Sequence, residues 1–158
     1  MQADIEGIQE TTVEPDLFPP GARVSFIYTE DKTLLEKLQA CFDSQGYYTA
    51  TASDPVQGAA KLRLNSYDVA VLDHRKNIDP LLDVINCWPG LSRRALNIII
   101  IGEKAPSLHQ RQALVQGVNF YLNLQDLKSM EDLILQCLRG YQIYYHPWQK
   151  VMEEVHDK

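Results

Sequence analysis

Asp73 closes the apolar run Asp68-Val69-Ala70-Val71-Leu72-Asp73, and His74 and Arg75 follow it directly. A carboxylate at the end of such a run can cap the loop beyond it or pair with a nearby cation, here Arg75, Lys76 or Lys104. Acid-base work shared with His74 is disfavoured, because adjacent residues on an extended chain point to opposite faces. His109, His146 and His156 are scattered without a metal-ligand spacing, and Cys41, Cys87 and Cys137 are far apart with no C-x-x-C, so no metal site and no disulfide framework is expected. The cysteines read as buried free thiols. Tyr28-Thr29-Glu30-Asp31 stands where a dinucleotide-binding chain would carry G-x-G-x-x-G.

The 158 residues, 45% apolar and 23% charged, suit one folded domain with at most a tail. Of the net charge of −6, five units lie in residues 1–22, which hold Asp4, Glu6, Glu10, Glu14 and Asp16 and no Lys or Arg. The remainder is nearly neutral, without the concentrated basic face that nucleic acid requires. The run Ile98-Ile99-Ile100-Ile101 falls far short of the roughly 20 residues of a membrane span. The start shows neither a basic n-region nor an apolar h-region, which points to a cytoplasmic protein.

Positioning Asp73 requires strands and helices in alternation. Residues 1–22 lack apolar periodicity and end in Phe18-Pro19-Pro20-Gly21, which predicts a flexible acidic leader. Five β-α units follow. Strands are expected at 24–28, 47–52, 68–73, 97–102 and 118–122. The intervening helices are marked by Leu34, Leu35, Leu38, Cys41 and Phe42, by Asp54-Pro55 as cap and first turn, by Asp79 as cap before Pro80 with Pro89-Gly90 as stop, and by Ser107 as cap with Gly117 as stop. After Asp126 a long helix carries Met130, Leu133, Ile134, Cys137, Leu138 and Tyr141, and His146-Pro147 is expected to kink or end it. Five such units fit a doubly wound, flavodoxin-like α/β fold, a parallel sheet of order 2-1-3-4-5. Its strand ends would gather Tyr28, Thr29, Glu30, Asp31, Asp73, His74, Gly102, Glu103, Asn123 and Leu124.

Over residues 23–140 this layout resembles the CheY-like receiver domain of bacterial response regulators, most closely in Tyr67-Asp68-Val69-Ala70-Val71-Leu72-Asp73 and in Gly117-Val118-Asn119-Phe120-Tyr121-Leu122. The resemblance implies signal transduction in a two-component phosphorelay, with Asp73 in the place of the aspartate that accepts a phosphoryl group from a histidine kinase. It also implies Mg²⁺ held by two acidic residues after the first strand, a Ser or Thr hydroxyl ending the fourth and a lysine after the fifth. Tyr28 and Thr29 stand at the acidic positions, with Glu30 within reach after a small shift in register; Gly102 replaces the hydroxyl, and Leu124 or Asn123 the lysine. The site is therefore expected to be degenerate and short of positive charge, with no cofactor, and the chain to be a non-catalytic pseudo-receiver that binds protein. A phosphoacceptor using Mg²⁺ and Asp73 is the alternative, and a small-molecule binder at the strand-end crevice the next. Residues 141–158 form an aromatic helical extension whose Tyr141, Tyr144, Tyr145 and Trp148 are interface candidates for a signalling protein or for a homodimer. Val151, Met152 and Val155 prolong the apolar side of that extension.

Overall fold

A computed structural model describes residues 15–156, without the side chains of 145–149, 152, 153 and 156. Five parallel strands, β1 Val24–Tyr28, β2 Tyr48–Thr51, β3 Val69–Asp73, β4 Asn97–Gly102 and β5 Phe120–Asn123, form one sheet of order β2-β1-β3-β4-β5. Helices α1 Lys32–Ser44, α2 Pro55–Leu64, α3 Asp79–Asn86, the short α4 Gly90–Arg94, α5 Gln110–Gln116 and α6 Met130–His156 connect and cover it. A 3₁₀ turn, Leu124–Ser129, leads into α6.

β1, β3 and β4 are buried along their whole length, which is why they read as continuous apolar runs. Alternate side chains supply two cores. Phe26, Tyr28, Ala70, Leu72, Ile98 and Ile100 pack beneath α2, α3 and α5; Ile27, Val69, Val71, Ile99 and Ile101 pack beneath α1 and α6. The register sets Tyr28 opposite Leu72 and Asp73 opposite Ile101, so the ends of β1, β3 and β4 share one edge. No helix of the described residues is long and apolar enough to cross a membrane.

Asp54 caps α2 as expected, its Oδ1 accepting from the Gln57 amide at 2.8 Å, and Gly117 ends α5 in the left-handed region at φ +70°. Other expectations need correction. Asp79 is the first residue of α3, not its cap; the side chain that serves this turn is Asn77, whose Oδ1 accepts from the Asp79 amide at 3.0 Å. Ser107 does not cap α5. His109 does, its Nδ1 accepting from the Gln112 amide at 3.1 Å, while Ser107 donates to Asp126. The fifth strand starts at Phe120, two residues later than expected; Asn119 just before it accepts with its side-chain oxygen from the Ile98 amide and from Arg93. α6 does not end at Pro147 but continues to His156; the proline lacks one amide donor, which costs the helix a hydrogen bond without obliging it to stop. Cys41 and Cys137 are buried, but Cys87 is exposed at the end of α3.

The later part of the acidic leader is held against the domain. Asp16 accepts from the Tyr67 hydroxyl at 2.7 Å, pairs with Lys61 at 3.3 Å and donates its amide to Asn65 at 2.8 Å. Phe18 packs on the ring of Tyr48 at 5.5 Å. The expectation of flexibility for residues 1–14 lies outside the described residues.

Candidate site at the strand ends

Thr29 follows β1 and turns its hydroxyl toward β3, donating to Asp73 Oδ2 at 2.7 Å. The Thr29 hydroxyl oxygen also accepts from the Asp31 amide at 3.1 Å, which fixes the turn into α1. Asp31 is the N-cap of α1: its Oδ1 accepts from the Leu34 amide at 3.1 Å, and its Oδ2 meets Arg75 Nη2 at 3.1 Å. Asp73 itself is 3% exposed.

Arg75 folds back over the carboxylate that precedes it by two residues. Its backbone amide donates to Asp73 Oδ1 at 3.0 Å, closing a small turn around the side chain. Its Nε lies 3.1 Å from Oδ1 and 3.2 Å from Oδ2, and its Nη2 donates to Oδ2 at 2.7 Å. With the Thr29 hydroxyl added, the two oxygens of Asp73 receive five close donor contacts from protein groups. A carboxylate offers about four lone-pair positions, so its acceptor capacity is filled. Burial pushes the Asp73 pKa up, but the hydrogen bonds from Arg75 and Thr29 outweigh it and hold the carboxyl below the usual range. Asp31 is lowered as well, first by the Leu34 amide and then by Arg75. The Asp73 hydrogen bond in turn raises Arg75.

The expected shortage of positive charge is thus corrected: a guanidinium lies in direct contact with the carboxylate, delivered by the β3–α3 loop and not from β5. Of the cations weighed as partners for Asp73, Arg75 is the one engaged, whereas Lys76 pairs with Glu30 at 3.6 Å on the surface. Glu30 lines the same depression as Asp73 but is paired with Lys76. Tyr28 is buried in the core, where burial first and the Glu30, Asp54 and Asp73 carboxylates next raise its pKa. Leu124 begins the 3₁₀ turn and packs on the core beneath α6, and Asn123 bonds the Ala105 carbonyl at 2.9 Å and the Gln125 amide at 2.8 Å.

Gly102 has a structural reason that its lack of a side chain hinted at. A Cβ there would lie 2.5 Å from the Tyr121 hydroxyl, which fills the space and accepts from the Lys104 amide at 2.8 Å. Tyr121 is fully buried in this position. Its participation went unread in the sequence; a glycine ending a strand beside a tyrosine one strand over was the available signal.

Magnesium does not fit these residues. It would need several free oxygen ligands, and both Asp31 and Asp73 are taken by Arg75, while Glu30 faces Lys76. Among the described residues no group of three or more His, Cys, Asp or Glu could hold a metal ion. The crevice is a depression of about 380 Å³ lined by Glu30, Asp31, Asp73, Arg75 and Lys76, all charged, without the apolar walls of a small-molecule pocket. A more apolar groove of about 430 Å³ lies elsewhere, between α5, β5 and α6, with Leu114, Phe120 and Tyr144 in its wall.

The aromatic candidates separate. Tyr141 is buried, its hydroxyl donating to the Arg94 carbonyl, so it belongs to the domain and not to a free interface. Tyr144 is 77% exposed, and the side chains of Tyr145 and Trp148 lie outside those described.

No protein-family model and no curated protein matches the sequence. The fold has many solved relatives. The chain superposes on the chemotaxis response regulator CheY4 of Vibrio cholerae with a TM-score of 0.60 at 12% identity, covering 76% of this chain and 98% of that one. A CheY-like receiver domain protein from Methanospirillum hungatei gives 0.58 at 16% identity, covering 78% and 98%. An orphan response regulator of H. pylori gives 0.57 at 12%, covering 76% and 99%. The chain therefore has the fold of CheY-like receiver domains.

Proposed function

We propose that this chain is a non-catalytic pseudo-receiver, a protein-binding module of a signalling system in which Asp73 is a structural carboxylate. The observation that carries this reading is the closure of Asp73 by Arg75 and Thr29. A nucleophilic oxygen must be free to approach phosphorus, and the charge on the transferring group must be met by cations placed around it. Here the cation is spent on the would-be nucleophile, and the acidic partners that would hold a metal are replaced or engaged. The fold shared with response regulators supports a place in signal transduction, and the charged lining of the crevice speaks against a small-molecule ligand there.

Incubation of the full chain with acetyl phosphate and Mg²⁺, followed by intact-mass measurement, tests the reading. The expected result is no phosphoryl adduct. An adduct that disappears in Asp73→Asn would establish the phosphoacceptor instead.

A further inference from the structure

Asp16 stands in a socket that suits a carboxylate. The Tyr67 hydroxyl donates to its Oδ2 at 2.7 Å, and Lys61 Nζ lies 3.3 Å from its Oδ1. Its backbone amide donates to Asn65 Oδ1 at 2.8 Å, so the socket reads both the side chain and the main chain of one residue. Each host group is held from elsewhere in the domain. Lys61 also donates to the Thr51 carbonyl at 2.8 Å, and Asn65 Nδ2 donates to the Lys61 carbonyl at 3.0 Å. Tyr67 is buried, with its ring stacked on Phe26 at 5.1 Å. Burial first and the Asp16 carboxylate next push its hydroxyl up, so it stays a donor.

Two residues on, Phe18 packs against the core and on the ring of Tyr48, whereas Leu17 between them is 94% exposed. Asp16 and Phe18 thus face the domain and Leu17 faces water, the alternation of an extended chain. A turn then leads into β1, the Ala22 amide donating to the Pro19 carbonyl at 3.0 Å.

We propose that residues 15–18 are a displaceable strap across a peptide-binding site, and that the partner is an extended acidic peptide carrying an aspartate with an aromatic side chain two residues later. The proposal deepens the protein-binding half of the functional reading and rests on it, by naming the chemistry of the partner.

The host surface favours such a partner when the strap is off. Lys61 then lacks its counter-charge and the buried Tyr67 hydroxyl its acceptor, and both regain them from another carboxylate. Lys61 and Arg63 give the last turn of α2 two positive charges, which complement an acidic peptide. Asn65 and Tyr67 also line a hollow of about 300 Å³ with Leu62, Arg63, Trp88 and Leu96, and none of residues 15–22 lines it. An incoming peptide therefore has a cation and an apolar wall to use beyond those the strap engages. The strap itself rests on one ion pair, two hydrogen bonds and the packing of Phe18. Its advantage is its tether, which acts as an effective concentration on the order of a millimolar.

The probe is a fluorescent peptide, Glu14-Pro15-Asp16-Leu17-Phe18-Pro19-Pro20, titrated by anisotropy with the full chain. In the chain carrying Asp16→Ala with Phe18→Ala the site is vacated, and the peptide should bind at least about tenfold more tightly than to wild type, whose strap competes. Adding Lys61→Ala to that variant should weaken binding by at least about tenfold, and so should asparagine in place of the peptide's aspartate. Far-ultraviolet circular dichroism checks the fold. Should the double variant unfold, Asp16→Asn, which keeps the shape of the side chain, takes its place and should bind about threefold more tightly than wild type. Equal binding by wild type and vacated chain, no binding to the vacated chain, or indifference to Lys61→Ala would overturn the proposal. So would a wild-type dimer that the vacated chain loses, since the site would then take the strap of a second copy. A phosphoryl adduct on Asp73 would sink the functional reading and leave this titration intact.

Discussion

The strand-end crevice and the distal half of α6 solve opposite problems. In the crevice, polar groups that should be open for chemistry are saturated by one another: Asp73 by Arg75 and Thr29, Asp31 by Arg75 and the Leu34 amide. On the helix, apolar groups that should be covered are left in water. Filled hydrogen-bonding groups gain little from a further polar contact, whereas exposed apolar side chains still have free energy to release on contact. The two regions thus differ in what they leave unsatisfied: hydrogen-bonding capacity is filled at the crevice, and apolar area stays open at Tyr144, Val151 and Val155.

The largest effect that would sharpen this contrast is expected from Arg75→Ala, which leaves a buried carboxylate without its cation. Removing one partner of a buried pair typically costs 3–5 kcal/mol, and because the Arg75 side chain is 30% exposed we expect about 2 kcal/mol in urea unfolding. Thr29→Val should cost about 1.5 kcal/mol, the loss of one hydrogen bond to a charged group. A Thr29 variant costing more than the Arg75 variant would show that the hydroxyl, and not the guanidinium, closes the site.

Acid reveals the same contact with a definite sign. Asp73 titrates below an unfolded aspartate, whose pKa is about 3.9, so the stability its pairing supplies is complete above that value and is lost as pH falls through the lower, folded one. In Arg75→Ala, burial would act with less opposition and the folded pKa would rise, so acidification would relieve the buried charge. The stability gap between wild type and Arg75→Ala should therefore narrow between about pH 7 and about pH 3. A gap that widens on acidification would mean that Asp73 is not the group Arg75 stabilises.

A comparable effect is expected beside the crevice. Gly102→Ala forces a Cβ against the Tyr121 hydroxyl, at a cost of about 1–3 kcal/mol from overpacking. In a Tyr121→Phe background the clash falls on ring atoms no nearer than 3.2 Å, so the same change should cost less by at least about 0.5 kcal/mol. Additive costs would place Tyr121 away from Gly102.

What could be read in the sequence follows the range of the physics. The sheet order, the buried strands and the place of Asp73 depend on periodicities of two and 3.6 residues, which are local and visible. The closure of Asp73 depends on how Arg75 turns back after two residues, a matter of rotamers, and the sequence could only name it as one of three candidate cations. The choice of His109 over Ser107 as cap follows from loop geometry, with Leu108 held at φ +64°. The docking of Asp16 joins residues 45 to 51 positions away, a separation across which no spacing rule operates.

The smallest effect on folding, and the most informative about the helix, is expected from Val151→Asp with Val155→Asp. Both side chains are exposed, so at concentrations where the chain is monomeric unfolding should shift by no more than about 0.5 kcal/mol. Urea unfolding of this double variant beside Arg75→Ala separates the two regions: the crevice change should lower stability by about 2 kcal/mol and the change on the distal helix should leave it nearly unmoved. A loss above about 1 kcal/mol in the double variant would show that Val151 and Val155 pack on the domain and are not the exposed residues described.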